Sequence, residues 1–495
     1  MGGIGFWNLP DAPELEAPAA TFETGRGPRA VRNTALVLAA RILSRGIALV
    51  TVLATLNHLG PSGFGRFQTL ITYTSVITVL VDLGFNTLYV REAARHPGEI
   101  ARYLSNMVTT RLAMSLLGLA VLALALRVPG LQSLLLPGFA LMILASLSQL
   151  LRQTFYALQR VGYDALETVL EACVLVLLTV VGIFNHQGVA YFVWAYAISY
   201  GFACLFILAV LVARGFASLR PRFEPRLVGS WLVASLPLAL TFVVTTLYFK
   251  IDVPILQLFR SFDEVGWYAS AYKPFEALLF VPMAMLNVIF PLLAIYHREA
   301  PERLEVAVDR FYKLLLLIGW PLTVGVWVLA SGLTGLLHLY PQAEPALAVL
   351  GLGIVFMFVN NAWVGSLNAV DRQVAFTWAA LASLVVNVGL NLVLIPAHGY
   401  LGAAWATVLT EAVLFAIGWL LTRRYVRPVP LVRLSWRVVL AGLVMGAVLL
   451  PFRGAAGLAV AGLVALGAAV FALAAFLLRA LDTGEVDMLR RAVGR

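Results

Sequence analysis

Two arginines, Arg41 and Arg45, are four residues apart in an apolar stretch of the sequence that is long enough to cross a bilayer. Residues four apart lie on one face of an α-helix, so both guanidinium groups point the same way near the middle of this stretch. Two like charges at that depth repel each other and need anions to face them. Arginine donates bidentate hydrogen bonds to phosphate and keeps its proton. The pair therefore predicts a cationic cavity that receives an anionic headgroup.

Other ionisable residues also fall inside apolar stretches, where each costs roughly 2.5–3.5 kcal/mol to insert and normally faces a cavity or a partner. The basic residues that we expect to join the two arginines in binding this anionic headgroup are Arg111, Lys250 and Lys273. The acidic residues that we expect to bind a coupling proton or cation are Asp82, Glu276 and Glu411. Pairing of these carboxylates with the arginines is the alternative interpretation.

A structural role is the competing interpretation for the charges nearer to predicted helix ends. Arg111, Arg152 and Asp252 lie toward such ends, and Glu167 and Glu171 share one face of a helix close to its predicted cytoplasmic end. Residues in these places form ion pairs or extend their charged groups to the interface. The sequence leaves both interpretations open for these five.

The composition excludes a soluble domain. Of 495 residues, 61% are hydrophobic and 12% are charged, whereas about a quarter of the residues in a soluble domain are charged. The net charge of +10 comes from arginines that cluster at the ends of apolar segments, which a positive-inside bias explains without a nucleic-acid partner. The two cysteines, Cys173 and Cys204, lack the spacing of a metal site. No metal, nucleotide or catalytic motif stands out, which predicts a protein that is not an enzyme and has no bound cofactor.

Apolar runs bounded by Gly, Pro and charged residues predict an all-α polytopic membrane protein of about 14 transmembrane helices. Most arginines fall in one set of alternate loops, and the opposite set holds only Arg66, Arg127, Arg260 and Arg453. This contrast predicts that both termini are cytoplasmic, in a multi-pass protein of the cytoplasmic membrane. Five prolines interrupt the seventh and eighth predicted helices, which we expect to bend: Pro237, Pro254, Pro274, Pro282 and Pro291.

The sequence repeats itself weakly, which predicts two related lobes. An offset of 201 residues relates Gly65, Phe67 and Asn86 to Gly266, Tyr268 and Asn287, and an offset of 211 relates Gly188 and Trp194 to Gly399 and Trp405. Both halves have the same orientation, as in parallel repeats related by an axis along the membrane normal. The predicted units are a disordered cytoplasmic tail (1–28), a six-helix lobe (29–213), a cytoplasmic linker (214–227), a second six-helix lobe (228–424), an extra helix pair (425–480) and a cytoplasmic tail (481–495).

Two motif-bearing stretches carry a family resemblance. The first contains Gly65-Arg66-Phe67, Asp82-Leu83-Gly84-Phe85-Asn86 and Arg91-Glu92-Ala93. The second follows the pattern V-G-x-Y-x-x-A-x-K from Val265 to Lys273 and ends in a proline. These stretches resemble the polysaccharide flippases of the multidrug/oligosaccharidyl-lipid/polysaccharide (MOP) exporter superfamily, and the resemblance covers about residues 29–424.

The resemblance implies two six-helix lobes, related by a pseudo-twofold axis, that face a central cavity. Alternating access would move undecaprenyl-diphosphate-linked oligosaccharide, a precursor of cell-surface polysaccharide or O-antigen, to the outer leaflet. Cavity arginines of the first helix would hold the diphosphate, which corresponds to Arg41 and Arg45 here. The implied partners are this lipid-linked substrate, membrane lipids, a polysaccharide polymerase and glycosyltransferases. A proton, sodium or the membrane potential would drive transport. In related lipid II flippases two extra C-terminal helices form a groove for the lipid tail, and the role of the last pair here stays open.

Two other functions compete with this one. A drug/cation antiporter of the same superfamily would favour an acidic cavity over one rich in arginine. A membrane glycan polymerase or ligase would also be polytopic and bind the same lipid, but such enzymes usually carry a sizeable outer loop with catalytic residues. The predicted outer links of this chain are short, so we expect a flippase.

Overall fold

The computed structural model describes residues 27–216 and 222–480, with side chains from residue 43 onward except at 237 and 238. These residues form seventeen α-helices and no strand. The helices are α1 (Gly27–Asp82), α2 (Phe85–Arg95), α3 (Ile100–Ala125), α4 (Leu135–Ala157), α5 (Val161–Phe184), α6 (Val189–Ala213), α7 (Pro225–Lys250), α8 (Asp252–Phe259), α9 (Phe262–Leu278), α10 (Phe280–Glu299), α11 (Pro301–Val328), α12 (Ala330–Leu336), α13 (Glu344–Ala369), α14 (Gln373–His398), α15 (Tyr400–Tyr425), α16 (Leu431–Leu449) and α17 (Ala459–Leu477). The predicted tails lie outside the described residues, except that residues 27 and 28 begin α1.

The number of membrane-spanning helices agrees with the sequence. Twelve described helices are long and apolar enough to span a bilayer, and the bent α7 makes thirteen. The long α1 counts once in that total, although it contains a kink at Gly60, whose φ of 67° and ψ of 174° are not helical. Pro61 follows the kink and begins the second helical segment, where a missing N–H is harmless. The predicted all-α polytopic fold of about 14 transmembrane helices is confirmed.

One predicted helix is broken where the sequence suggested continuity. The second transmembrane helix was expected to carry Asp82 in its interior, but Asp82 is the last residue of α1. Leu83 and Gly84 then adopt left-handed backbone angles, with φ of 45° and 72°, before α2 begins. Only glycine adopts this conformation without cost, so Gly84 enables the break. The Asp-Leu-Gly-Phe-Asn motif is therefore a helix-breaking segment.

The seventh transmembrane helix has the bend that its prolines predict. It consists of α7, whose halves Pro225–Leu236 and Ala239–Lys250 meet at 55°, and of α8, which starts after a break at Ile251. The eighth consists of α9 and α10, which meet at Leu279, between Pro274 and Pro282, and together form one candidate span. A proline removes one backbone hydrogen bond and weakens the helix there.

Helices pack both within each half of the chain and between the halves. In the first half α4 packs on α6 and α1 on α5, and in the second α13 packs on α11 and α15. Between the halves, α1 packs extensively on α9. The start of α7 also belongs to the first half, since Trp231 joins a core with α2, α3, α4 and α6, while Tyr248 near its end packs with α14 and α15. The final pair, α16 and α17, packs on α11. The boundaries of the lobes remain a prediction.

The two halves meet closely at the end of the molecule that the arginine pattern places outside. A Cβ added to Gly65 would lie 1.9 Å from the carbonyl oxygen of Phe262, and one added to Gly266 would lie 2.2 Å from that of Pro61. Gly65 and Gly266 are the pair that the 201-residue repeat relates, and the same offset relates Pro61 to Phe262. The two contacts are thus pseudo-symmetric. We call these four residues the glycine seam.

Two hydrogen bonds also join the halves. The Tyr340 hydroxyl donates to the Leu56 carbonyl over 2.6 Å, near the glycine seam. Farther from that end, the Tyr73 hydroxyl donates to Gln257 Oε1 over 2.8 Å. The predicted outer end is therefore closed above the site described next.

Candidate functional site

Basic side chains gather around one carboxylate where α1, α7 and α9 meet. Lys273 Nζ lies 3.0 Å from Glu276 Oε2, and Lys250 Nζ lies 3.9 Å from Glu276 Oε1. Arg45 of α1 interacts electrostatically with the same carboxylate. Two ammonium groups beside one carboxylate leave positive charge in excess, and the longer-range attraction of Arg45 adds to it, so the cluster can bind a further anion.

This cluster borders a cavity that we call the cationic cavity. Its empty volume is about 340 Å³. The lining residues are Gln68, Thr72, Phe249, Lys250, Asp252, Val253, Tyr268, Ala269, Tyr272, Lys273 and Glu276. The side chains of Lys250, Lys273 and Glu276 are 26%, 16% and 38% exposed, so a ligand can reach their charged ends.

The structure brings two of the five predicted diphosphate ligands into one cavity. Lys250 and Lys273 line the cationic cavity, and the Arg45 side chain is exposed. Arg41 lies in α1, but its side chain is outside the described part of the chain. The first half carries no counterpart of the α9 charges, because Thr72 and Ser75 stand 201 residues before Lys273 and Glu276. The charged site is thus asymmetric within a pseudo-symmetric fold.

Arg111 and Asp82 lie elsewhere, in a buried ion pair between α3 and the end of α1. Arg111 Nη1 is 2.7 Å from Asp82 Oδ1, and the two side chains are 2% and 11% exposed. Asp82 also accepts from Ser146 Oγ over 2.9 Å and from Asn86 Nδ2 over 3.2 Å. Arg111 donates to the Ser146 carbonyl and to Asn86 Oδ1. Asp82 is therefore paired with an arginine, as the alternative interpretation predicted. Ion binding by Asp82 and diphosphate binding by Arg111 stay predictions.

A second ion cluster occupies the first half, on α4 and α5. Arg152 Nη2 lies 3.0 Å from Glu167 and 2.7 Å from Glu171, and Arg152 Nε is 3.7 Å from Asp164. Glu167 is fully buried. The structural interpretation of Arg152, Glu167 and Glu171 agrees with these contacts.

A second cavity, which we call the acidic cavity, lies beside the first. It has an empty volume of about 210 Å³ and is lined by Tyr248, Phe249, Asp252, Tyr272, Asn387, Thr407, Thr410 and Glu411. Within the described part of the chain, this lining contains two carboxylates and no lysine or arginine. Burial of a carboxylate is costly unless it is hydrogen-bonded, protonated or paired with a cation.

Neutral groups surround both carboxylates. Asp252 accepts hydrogen bonds from the Tyr268 hydroxyl over 2.8 Å, Thr407 Oγ1 over 3.0 Å and Asn391 Nδ2 over 2.8 Å. Asn391 Oδ1 is buried and accepts no hydrogen bond from the residues that the structure describes. Carboxylate, amide and hydroxyl oxygens are the ligands that hard cations prefer.

Glu411 has a similar environment. It accepts from the Tyr248 hydroxyl over 2.9 Å and from Asn360 Nδ2 over 2.8 Å. These donors stabilise a carboxylate but do not neutralise it. The arrangement can therefore take up a proton or a small cation, in keeping with the predicted role of Glu411. Glu276 differs, since it is paired with lysine in the other cavity.

Comparison with known proteins identifies the family. The family model described as "Polysaccharide biosynthesis protein" matches residues 30–297, more than half of the chain. The chain belongs to this family. The resemblance to polysaccharide flippases of the MOP superfamily that the sequence carried is thereby confirmed.

Individual relatives of this chain are distant. The "Probable low-salt glycan biosynthesis flippase Agl15" of Haloferax volcanii is 24% identical over 217 residues, which cover 42% of this chain and 45% of that protein. An uncharacterized membrane protein of Methanocaldococcus jannaschii, MJ1068, is 25% identical over 162 residues, which cover 32% of each chain. The chain thus matches less than half the length of these curated relatives.

Solved structures share the fold. The lipid II flippase MurJ in an inward closed conformation superimposes with a TM-score of 0.73 at 14% identity, over 90% of this chain and 99% of MurJ. An inward-facing multidrug resistance MATE transporter of the MOP superfamily gives a TM-score of 0.64 at 16% identity, over 79% and 97% of the two chains. These similarities show that the chain shares the fold of these transporters. Its twelve or thirteen candidate spans agree with a multi-pass membrane protein.

Sequence reasoning missed several residues of this site. It left the role of Asp252 open between structure and function, and the structure shows that Asp252 lines both cavities. Tyr248 and Tyr272 were not singled out, and Tyr268 was noted only as a position of the repeat and the motif. The sequence signal of the two α9 tyrosines is their spacing, because Tyr268, Tyr272 and Glu276 recur every four residues.

Proposed function

We propose that this protein is a flippase that moves undecaprenyl-diphosphate-linked oligosaccharide across the cytoplasmic membrane by alternating access, and that it is not an enzyme. The observation that carries the proposal is the excess positive charge of Arg45, Lys250 and Lys273 around Glu276 at the cationic cavity. A diphosphate is the anionic part of such a lipid carrier. Membership of the polysaccharide biosynthesis family supports this substrate class over other phospholipids.

The proposed ligands would bind the diphosphate in different ways. Arg45 would bind phosphate oxygens through its planar, bidentate fork, whereas Lys250 and Lys273 would act as point charges. Glu276 holds both lysine ammonium groups in place when no ligand is bound. Arg41, one helical turn before Arg45, would add a second guanidinium group to the same face of α1.

Alternating access requires that one end of the cavity opens while the other closes. The glycine seam closes the predicted outer end, so the site would load from the cytoplasmic side. With both termini in the cytoplasm, as the arginine distribution predicts, opening of the seam would release the headgroup outward. Glycosyltransferases would supply the substrate and a polysaccharide polymerase would consume it.

The acidic cavity is the proposed site of the driving ion. Asp252 and Glu411 line it without a basic partner among the described lining residues, so a proton or sodium ion would offset their charge. The same cavity favours a second candidate function, a drug/cation antiporter. The two functions differ in which ligand the cationic cavity binds, since positive charge repels a cationic drug.

Complementation of a flippase-deficient strain tests the proposal. Wild-type protein should restore surface polysaccharide, and the combined Arg45→Ala and Lys273→Ala variant should fail although it reaches the membrane in normal amounts. Each lost charge-assisted hydrogen bond weakens binding by about 1.5–3 kcal/mol, or roughly tenfold or more. Arg91→Ala is the matched control, because Arg91 is 55% exposed and contacts only the adjacent Glu92 in its ion pair. Full restoration by the double variant would refute the assignment.

A further inference from the structure

The cationic and acidic cavities share one wall. Phe249, Asp252 and Tyr272 line both. The Phe249 ring is apolar and carries no proton to exchange. The Asp252 carboxylate accepts from three surrounding side chains, which fix it in place. Of the three residues in this wall, Tyr272 thus carries a polar group, its hydroxyl, that can respond to ligands in either cavity.

Carboxylates line the cavities on both sides of Tyr272. Glu276 lines the cationic cavity, Glu411 lines the acidic cavity, and Asp252 lines both. A tyrosine hydroxyl has one proton to donate, so it can donate to only one of these carboxylates at a time. The two cavities thus offer alternative acceptors for one donor.

The position of Tyr272 in α9 favours such a role. Its ring packs between Tyr268 and Phe275, with centroids 5.6 Å and 5.4 Å away. Tyr268 bonds to Asp252 one turn before it, and Glu276 lies one turn after it, beyond Pro274. Pro274 leaves the Ser270 carbonyl without its helical partner, so α9 can bend around Tyr272.

We propose that Tyr272 is the positioning residue that couples ion binding in the acidic cavity to headgroup binding in the cationic cavity. The inference rests on the proposed function. When Asp252 and Glu411 are negatively charged, they attract the hydroxyl proton. When a proton or sodium ion neutralises them, the hydroxyl turns to Glu276 and competes with Lys250 and Lys273 for that carboxylate. The lysines then become available to the diphosphate.

Reconstituted full-length protein in proteoliposomes tests the coupling. Two quantities are measured: the binding of undecaprenyl diphosphate, and the dependence of lipid-linked oligosaccharide transport on pH and on sodium. Tyr272→Phe keeps the wall and removes the hydroxyl. In this variant the enhancement of transport by the ion should fall by about tenfold, the effect of losing one hydrogen bond to a charged group. This loss should exceed any loss of undecaprenyl diphosphate binding measured in the absence of the ion. Tyr272→Ala opens the wall and should let the ion cross without substrate.

Tyr312→Phe is the matched control, because Tyr312 lies on α11 and its hydroxyl pairs with Ser435 away from both cavities. It should behave as wild type in both measurements. An unchanged ion dependence in Tyr272→Phe would overturn the inference, as would a wild-type protein whose transport responds to neither ion. Equal losses of binding and transport in Tyr272→Phe would also overturn it, since they indicate a structural role. Failure of the wild-type protein to move the oligosaccharide would instead refute the proposed function.

Discussion

Alanine at Gly65 or Gly266 should open the glycine seam. A Cβ at Gly65 would lie 1.9 Å from the Phe262 carbonyl oxygen, whereas ordinary contact begins at 3.4 Å, so the two backbones must separate by about 1.5 Å. The contact at Gly266 requires a separation of about 1.2 Å, from 2.2 Å. Both atoms that clash belong to backbone, which cannot swing aside as a long side chain can.

The expected size of the effect follows from overpacking. Forcing an extra methyl group into a tight contact costs about 1–3 kcal/mol. The cost falls only on the state in which the outer end is closed, so the equilibrium shifts toward the outward-open state by about 5-fold to 150-fold.

Cysteine labelling measures this shift. Thr72 lines the cationic cavity, so Thr72→Cys, in a chain whose native Cys173 and Cys204 are replaced, reports access from outside to a membrane-impermeant maleimide. Gly65→Ala and Gly266→Ala should each accelerate labelling of intact cells. Gly389→Ala is the control, because a Cβ there meets nothing within 4 Å. Labelling at the wild-type rate in both seam variants would refute the reasoning.

Four further outcomes are expected. Arg111→Ala should lower the free energy of unfolding by about 3–5 kcal/mol, because it leaves Asp82 buried and unpaired. Thermal unfolding in detergent measures this loss. Asp82→Asn should alter the pH or sodium dependence of transport only if Asp82 also binds the ion. Glu411→Gln should abolish that dependence while undecaprenyl diphosphate still binds, and a normal ion response would contradict the role of the acidic cavity. Hydrogen bonds from Arg102 lower the pKa of Glu224 below its usual 4.5, so this tie between α3 and the start of α7 persists at pH 4.5 and is lost only at lower pH. Glu224→Gln should remove it at every pH and increase labelling of the same reporter from the cytoplasmic side; equal labelling would show that the tie does not restrain that end.

The sequence predicted those features that follow from the thickness of the bilayer or from the internal repeat. Helix number follows from apolar length, because the hydrocarbon core sets how many residues a span needs. The repeat related Gly65 to Gly266 by counting alone, and the structure places them in pseudo-symmetric contacts. Lys250 and Lys273 could be identified because a charge inside an apolar stretch must meet a cavity or a partner.

Pairing between distant helices could not be predicted. Whether Asp82 faced an ion or Arg111 depended on how the end of α1 packs against α3, and nothing in either segment encodes that distance. The break at Leu83 was also hidden, because a leucine rarely adopts a left-handed conformation. Tyr272 is an uncharged residue among many aromatic ones, so only the shared wall of two cavities distinguishes it.

The central claim is that a cationic site formed by Arg45, Lys250 and Lys273 carries a lipid-linked diphosphate across the membrane. The most direct measurement is the rate at which a defined undecaprenyl-diphosphate-linked oligosaccharide becomes accessible on the opposite face of proteoliposomes that contain the purified protein. The account predicts rapid translocation by the wild-type protein and a rate near that of empty liposomes for the combined Arg45→Ala and Lys273→Ala variant. Translocation no faster than in empty liposomes by the wild type, or an equal rate in the variant, would contradict it.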